Sequence, residues 1–224
     1  VSPGADQADA LLLRWQGLRD ILQAAHVQLL AVSKYAPDAA VETLIGAGQI
    51  HFGESRAQGL RDRAARWPQC EWHMIGPMQK NKAKYIGRQA AMWHSCDNLE
   101  IAGAVSQHVT GRQLPVLIQV NIADNPEQRG IQPVDAAVFA ESLSAIDHLK
   151  LCGLMGMAPR DGDVRSAFRR LRRLRDELFG GSFAELCMGM SGDYRTAIEE
   201  GATIVRIGST LFDYNKSNGS AGAA

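Results

Sequence analysis

The chain has 224 residues, enough for one large core, and α/β barrels of this size are usually one domain. Apolar residues make up 46% and charged residues 21%, with a formal net charge of zero, values of an ordinary globular protein. Neutrality argues against a nucleic-acid or membrane-surface role, and no apolar run is long enough to span a bilayer.

Short β-type runs alternate with helical stretches. A leading helix is expected over Asp9–Ala25. The predicted strands are Val27–Ser33, Ile50–Gly53, Trp72–Ile75, Met92–Ser95, Pro115–Asn121, Lys150–Met155, Glu185–Met188 and Ile204–Ile207. Between them, Asp38–Ala47 follows Pro37 and stops near Gly46 and Gly48, and Val134–Ile146 has helical spacing after Pro133. Val164–Phe179 puts Phe168, Leu171, Leu174 and Leu178 on one stripe. A helix from Tyr194 and a short one after Ser209 complete the pattern. Strand–helix alternation implies a parallel sheet, and eight units imply a closed (β/α)8 barrel of the TIM type. The weak strand at Met92–Ser95 keeps a doubly wound sheet as the alternative. Residues 1–216 read as a single domain, and residues 217–224, small and polar, as a disordered tail.

Cys70, Cys96, Cys152 and Cys187 are widely spaced, with no Cys-x-x-Cys, and read as reduced thiols of a cytoplasmic protein. No leader is read at the first residues. The usual glycine-rich nucleotide signatures are absent.

In such barrels the working residues sit at the C-terminal ends of strands. Lys34 closes the first strand. A lysine there is more often a solvent-facing cap, but a desolvated one is a Schiff-base nucleophile. The last strand ends in Arg206-Ile-Gly208-Ser209, and strand seven in Met188-Gly-Met-Ser191-Gly-Asp193. Phosphate is commonly bound between these two loops. Gly208 would admit the anion to the backbone, amides from Ser209 onward would donate, and Ser191 would add a hydroxyl. Singly, Ser191 reads as a helix cap and Gly208 as a turn. Arg206 shares a strand face with Gly208 and should point inward, where it needs an acceptor such as a ring nitrogen or carboxylate. Phe52-Gly-Glu-Ser55-Arg56 and Trp72–Lys82 also end strands. His73 reads more readily as a satisfied core histidine than as a base. Lys80, Lys82 and Lys84 read as a solvated helix face, and the arginines at 165, 169, 170, 172, 173 and 175 as solvent-facing.

The motifs Ala31-Val-Ser-Lys34, Phe52-Gly-Glu54, Trp72-His-x-Ile-Gly-Pro77-x-Gln79-x-Asn81-Lys82, Gln119-Val-Asn121, Gly153-Leu-Met155, Met188-Gly-Met-Ser191-x-Asp193 and Val205-Arg-Ile-Gly-Ser209 occur in order. In these the chain resembles the pyridoxal phosphate homeostasis protein family, related to the alanine racemase N-terminal domain, from about Leu29 to Phe212. The resemblance implies pyridoxal 5′-phosphate (PLP) held as an internal aldimine on Lys34. It implies phosphate near Ser191, Gly208 and Ser209, with Arg206 at the pyridine nitrogen. It implies intracellular buffering and delivery of PLP without established catalysis, with apo PLP-enzymes as recipients. A monomer is expected. Ser55 replaces the family's usual Asn, and its shorter side chain is expected to weaken one cofactor contact. The alternatives are a PLP-dependent racemase or lyase, with His73 or Tyr194 as the opposing base, and an aldolase using Lys34 without PLP.

Overall fold

A computed structural model describes residues 3–123, 125–180 and 184–213. The elements run α1 (Pro3–Ala24), β1 (Gln28–Val32), α2 (Asp38–Gly46), β2 (His51–Glu54), α3 (Ala57–Arg66), β3 (Glu71–Met74), α4 (Ala83–Gln89) and β4 (Met92–Cys96). They continue with α5 (Leu99–Ser106), β5 (Leu114–Val120), α6 (Ala136–Ser144), β6 (Leu149–Gly156), α7 (Val164–Phe179), β7 (Glu185–Cys187), α8 (Tyr194–Glu199), β8 (Ile204–Ile207) and α9 (Ser209–Phe212). The strands form a closed barrel in sequence order, so the doubly wound alternative is excluded. Neighbouring strands are parallel, and β8 closes on β1 in the register Leu30↔Arg206 and Ala31↔Ile207. The predicted tail at 217–224 lies outside the described residues.

The helix α7 spans the predicted residues. Asp163 accepts the Ser166 amide at its start, and Gly180 takes the left-handed conformation at its end. Phe168 and Leu171 are fully buried and Leu174 and Leu178 partly so, as the stripe requires. Its arginines are exposed or half-exposed, as expected, but three of them also have a partner that the sequence does not announce. Arg165, Arg169 and Arg172 converge on the buried carboxylate of Glu200 at 2.8, 3.1 and 3.5 Å and so bind α7 to the end of α8. A buried carboxylate requires such compensation, which a helical stripe does not announce.

Two apolar layers result. A large outer layer lies between strands and helices. A small inner one, Leu30, Leu117, Met155, Cys187 and Ile204, fills the barrel. A polar file crosses this interior. His51 Nδ1 lies 3.2 Å from His73 Nε2, His73 Nδ1 lies 2.8 Å from His94 Nε2, and His94 Nδ1 lies 3.2 Å from Cys187 Sγ. His73 is thus a core histidine with a partner at each nitrogen. Burial, aided by His51, lowers its pKa to about 3. Burial, with His73 and Arg206 beside it, holds His94 well below the ordinary value, and burial pushes the Cys187 thiol up to about 11.

Neutral buried imidazoles make stability depend on pH. Between the folded-state value and the ordinary 6.5 of the unfolded chain, only the unfolded state takes up the proton. Stability is therefore complete above about pH 6.5 and falls as the pH drops toward 3. His73 and His94 each contribute up to about 1.4 kcal/mol per pH unit. Urea unfolding at pH 7, 6 and 5 should show a steady loss of roughly 2–3 kcal/mol per unit below pH 6. A flat profile would contradict two neutral core imidazoles.

Candidate functional site

Beyond β1 the chain turns sharply, with the Ala36 amide bonded to the Ser33 carbonyl at 2.8 Å. The strand ends at Val32, so Lys34 stands in this turn rather than on the strand. Lys34 is exposed, its ammonium 5.0 Å from the centre of the Tyr35 ring. The turn is held from below. Ser33 Oγ donates to Glu54 Oε1 at 2.7 Å, and Arg63 Nε meets the same oxygen at 3.1 Å. Arg63 Nη2 also donates to the Ala36 carbonyl at 2.8 Å. Burial raises the Glu54 pKa against the opposing pull of Ser33, Arg63 and Lys34. The Phe52-Gly-Glu54 motif was expected only as a strand end. Its work as the anchor of the Lys34 turn needed the pairing of β2 with β1 to be seen.

Arg206 points into the barrel as strand alternation requires and is 5% exposed. Its Nη2 donates to the Gly156 carbonyl at the end of β6, at 3.0 Å. Its Nε is buried and has no acceptor among the described residues. On the other side of the seam, Thr210 N donates to Ser191 Oγ at 3.2 Å, joining the loops after β7 and β8. Ser191 therefore serves the start of the neighbouring helix α9 rather than its own helix. Asp193 shapes that loop by accepting the Met190 amide at 2.6 Å. Ser55 follows β2, and its carbonyl lies 2.1 Å from where a Cβ on residue 76 would stand, so Gly76 lets the two loops pass.

These groups meet around one cavity of about 520 Å³, within the usual size of small-ligand sites, about 300–1,000 Å³. Lys34, Ser55, Ser191, Arg206, Gly208 and Ser209 all line it. The remaining wall includes Tyr35, Ile75, Met157 and Met190. Of these, Tyr35 carries no sequence signal that marks it as part of a site. Neither His73 nor Tyr194 lines the cavity. His73 is enclosed by His51 and His94, and Tyr194 is buried with Arg195 over its ring at 5.4 Å.

The family model for the alanine racemase N-terminal domain matches residues 7–216. The pyridoxal phosphate homeostasis protein of Aquifex aeolicus is 36% identical over 199 residues, covering 84% of this chain and 87% of its own. That of Pseudomonas aeruginosa is 40% identical over 196 residues, covering 84% of each chain. The chain belongs to the pyridoxal phosphate homeostasis protein family. PipY of Synechococcus elongatus, solved with PLP bound, superimposes with a TM-score of 0.82 at 33% identity, covering 90% of this chain and 99% of PipY. This family member thus carries its amine, its inward arginine and its Gly-Ser turn on or just beyond the C-terminal ends of the two strands that close the barrel.

The buried Glu54–Arg63 pair makes the Lys34 turn sensitive to one carboxylate. Glu54→Ala removes the carboxylate shared by Ser33 and Arg63, leaving Arg63 the Ala36 carbonyl and the more distant Asp38, and should cost about 3–5 kcal/mol in denaturant unfolding. Glu54→Gln keeps an acceptor for Ser33 and should cost clearly less. Equal losses in the two variants would show that the charge is immaterial to the turn.

Proposed function

We propose that this chain binds PLP in the cavity, linked to Lys34 as a Schiff base, and serves to buffer and deliver the cofactor without turning over amino acids. The observation that carries this reading is the buried Arg206 Nε, a donor without an acceptor among the described residues, in the same cavity as the Lys34 amine. A buried polar atom left unpaired is costly, and a ring nitrogen supplies the acceptor. The residues therefore fit the group. PLP brings an aldehyde that condenses with an amine, releasing water, and a ring able to draw electrons from a bound amine.

The protein's own groups would divide the work. Lys34 supplies the amine. Amides after Gly208, with the Ser191 hydroxyl, hold the phosphate, and Ser55 lines the wall beside Lys34. Arg206 would donate a hydrogen bond to the ring nitrogen without handing it a proton, as a guanidinium does. That leaves the ring a poor electron sink. The two candidate opposing bases, His73 and Tyr194, lie off the cavity. Its rim is open, with Lys34, Tyr35 and Met190 exposed, which suits exchange of cofactor with a recipient apo-enzyme. No helix among the described residues is long and apolar enough to cross a membrane, and the four cysteines are free. We read the protein as cytoplasmic and monomeric, without a nucleic-acid or membrane partner.

Borohydride reduction of the PLP-loaded protein followed by peptide mapping should place the label on Lys34, and Lys34→Ala should lose it. The loaded protein should pass PLP to an apo-enzyme yet leave amino-acid α-protons unexchanged in deuterium oxide. A label on Lys80 or Lys82 would refute the attachment. Exchange at several turnovers per second, abolished by Lys34→Ala, would instead establish a racemase-like enzyme.

The phosphate assignment has its own test. Losing one hydroxyl bond to a charged group costs about 1.5–3 kcal/mol, the range expected for PLP binding in Ser191→Ala. Gly208→Val should weaken binding further by closing the backbone approach. Negligible losses in both would place the phosphate elsewhere.

A further inference from the structure

The far end of the barrel holds a second group of ligand-type side chains that the PLP reading leaves unused. We propose that His51 Nδ1, His73 Nε2 and a Glu71 carboxylate oxygen bind a divalent cation of the Zn2+ class at the N-terminal rim. This inference is independent of the cofactor assignment, because the cavity lies at the opposite ends of the strands.

Strand pairing assembles the three. His51 and Glu71 are direct partners at the starts of β2 and β3, and His73 follows Glu71 by two residues, on the same strand face. His51 Nδ1 lies 3.2 Å from His73 Nε2 and 3.3 Å from Glu71 Oε2, and the three ligand atoms lie within 4.8 Å of one another. Zinc–nitrogen bonds of about 2.0–2.1 Å at tetrahedral angles put ligand atoms about 3.3 Å apart, so two of the three edges already have the length required. Two imidazoles and one carboxylate suit zinc, nickel or copper rather than calcium or magnesium, which prefer all-oxygen sets. Three protein ligands leave the fourth position to water.

The interior of the barrel supplies the supporting layer such a site needs. A ligating imidazole almost always donates its other ring N–H. His73 Nδ1 faces His94 Nε2 at 2.8 Å, and His94 Nδ1 faces Cys187 Sγ at 3.2 Å. With each Nδ1 donating along this file, His73 presents the Nε2 lone pair toward His51. His51 needs only to carry its proton on Nε2, and the cation then replaces the proton that the two facing nitrogens otherwise share. His73 is buried and preset, whereas the side chains of His51 and Glu71 are 31% and 55% exposed and give the ion its way in. In barrels of this kind this rim serves stability rather than chemistry, so the cation is a structural one.

The test uses the full-length, untagged chain carrying Cys152→Ser, which removes the partly exposed thiol. Equilibrium dialysis against Zn2+ should give one equivalent per chain, with a higher melting temperature than in chelator. Co2+ should give the visible bands of a four-coordinate ion without thiolate charge transfer. His51→Ala and Glu71→Ala remove partly exposed groups and should keep the far-UV circular dichroism of the parent in chelator. They should weaken Zn2+ by about 100-fold and at least about 10-fold, the scale seen when metal sites lose a supporting group. Absence of saturable one-equivalent binding in the parent overturns the site. So does parental affinity in either variant.

Discussion

The pairing of β1 with β8 is the constraint on which the rest of the molecule depends. Its register sets Leu30 beside Arg206 and Ala31 beside Ile207. Carried two residues further, it brings the Ser33–Lys34 turn level with the Gly208–Ser209 turn. The amine, the inward guanidinium and the anion-binding turn become neighbours only because the first and last strands are hydrogen-bonded. Shifting that seam by one residue would turn Arg206 from the interior to the helix layer. The outer clamp reinforces it, since Arg14 of α1 donates to the Leu211 carbonyl of α9 at 2.8 Å.

Polar groups inside the barrel are arranged by depth. Near the cavity, Arg206 has one acceptor on the Gly156 carbonyl and one donor left over. Below it, the file from Cys187 to His51 satisfies each ring nitrogen that faces inward. The apolar inner layer of Leu30, Leu117, Met155 and Ile204 packs alongside this file. Low-dielectric surroundings raise the cost of any break in such a network, which fixes the side chains in one arrangement.

Much of this was legible in the sequence. The alternation of runs showed eight strands, and α7 was legible from its stripe of Phe168, Leu171, Leu174 and Leu178. Lys34, Arg206 and Gly208 were legible because loop position and strand alternation follow from short-range spacing. The histidine file was not. Parallel strands are buried on both faces, so no polar–apolar alternation reveals which residues face inward. His51, His73, His94 and Cys187 lie on four strands, and only barrel closure brings them into line. The same holds for Glu54 with Arg63 and for Glu200 with its arginines. A carboxylate far from its cation in sequence looks like any surface charge.

The seam also sets the order of events during synthesis. β1 can pair with β2 as soon as about the next twenty residues have emerged, but its other edge waits for β8, the last strand of the barrel. Translation at about 5–20 residues per second leaves that edge, with its apolar Leu29-Leu-Ala-Val32, open for roughly ten to thirty-five seconds. An unpaired apolar edge is a template for foreign strands. Ribosome-bound truncations ending before Ile204 should therefore carry a protease-sensitive half-barrel rather than a smaller folded domain.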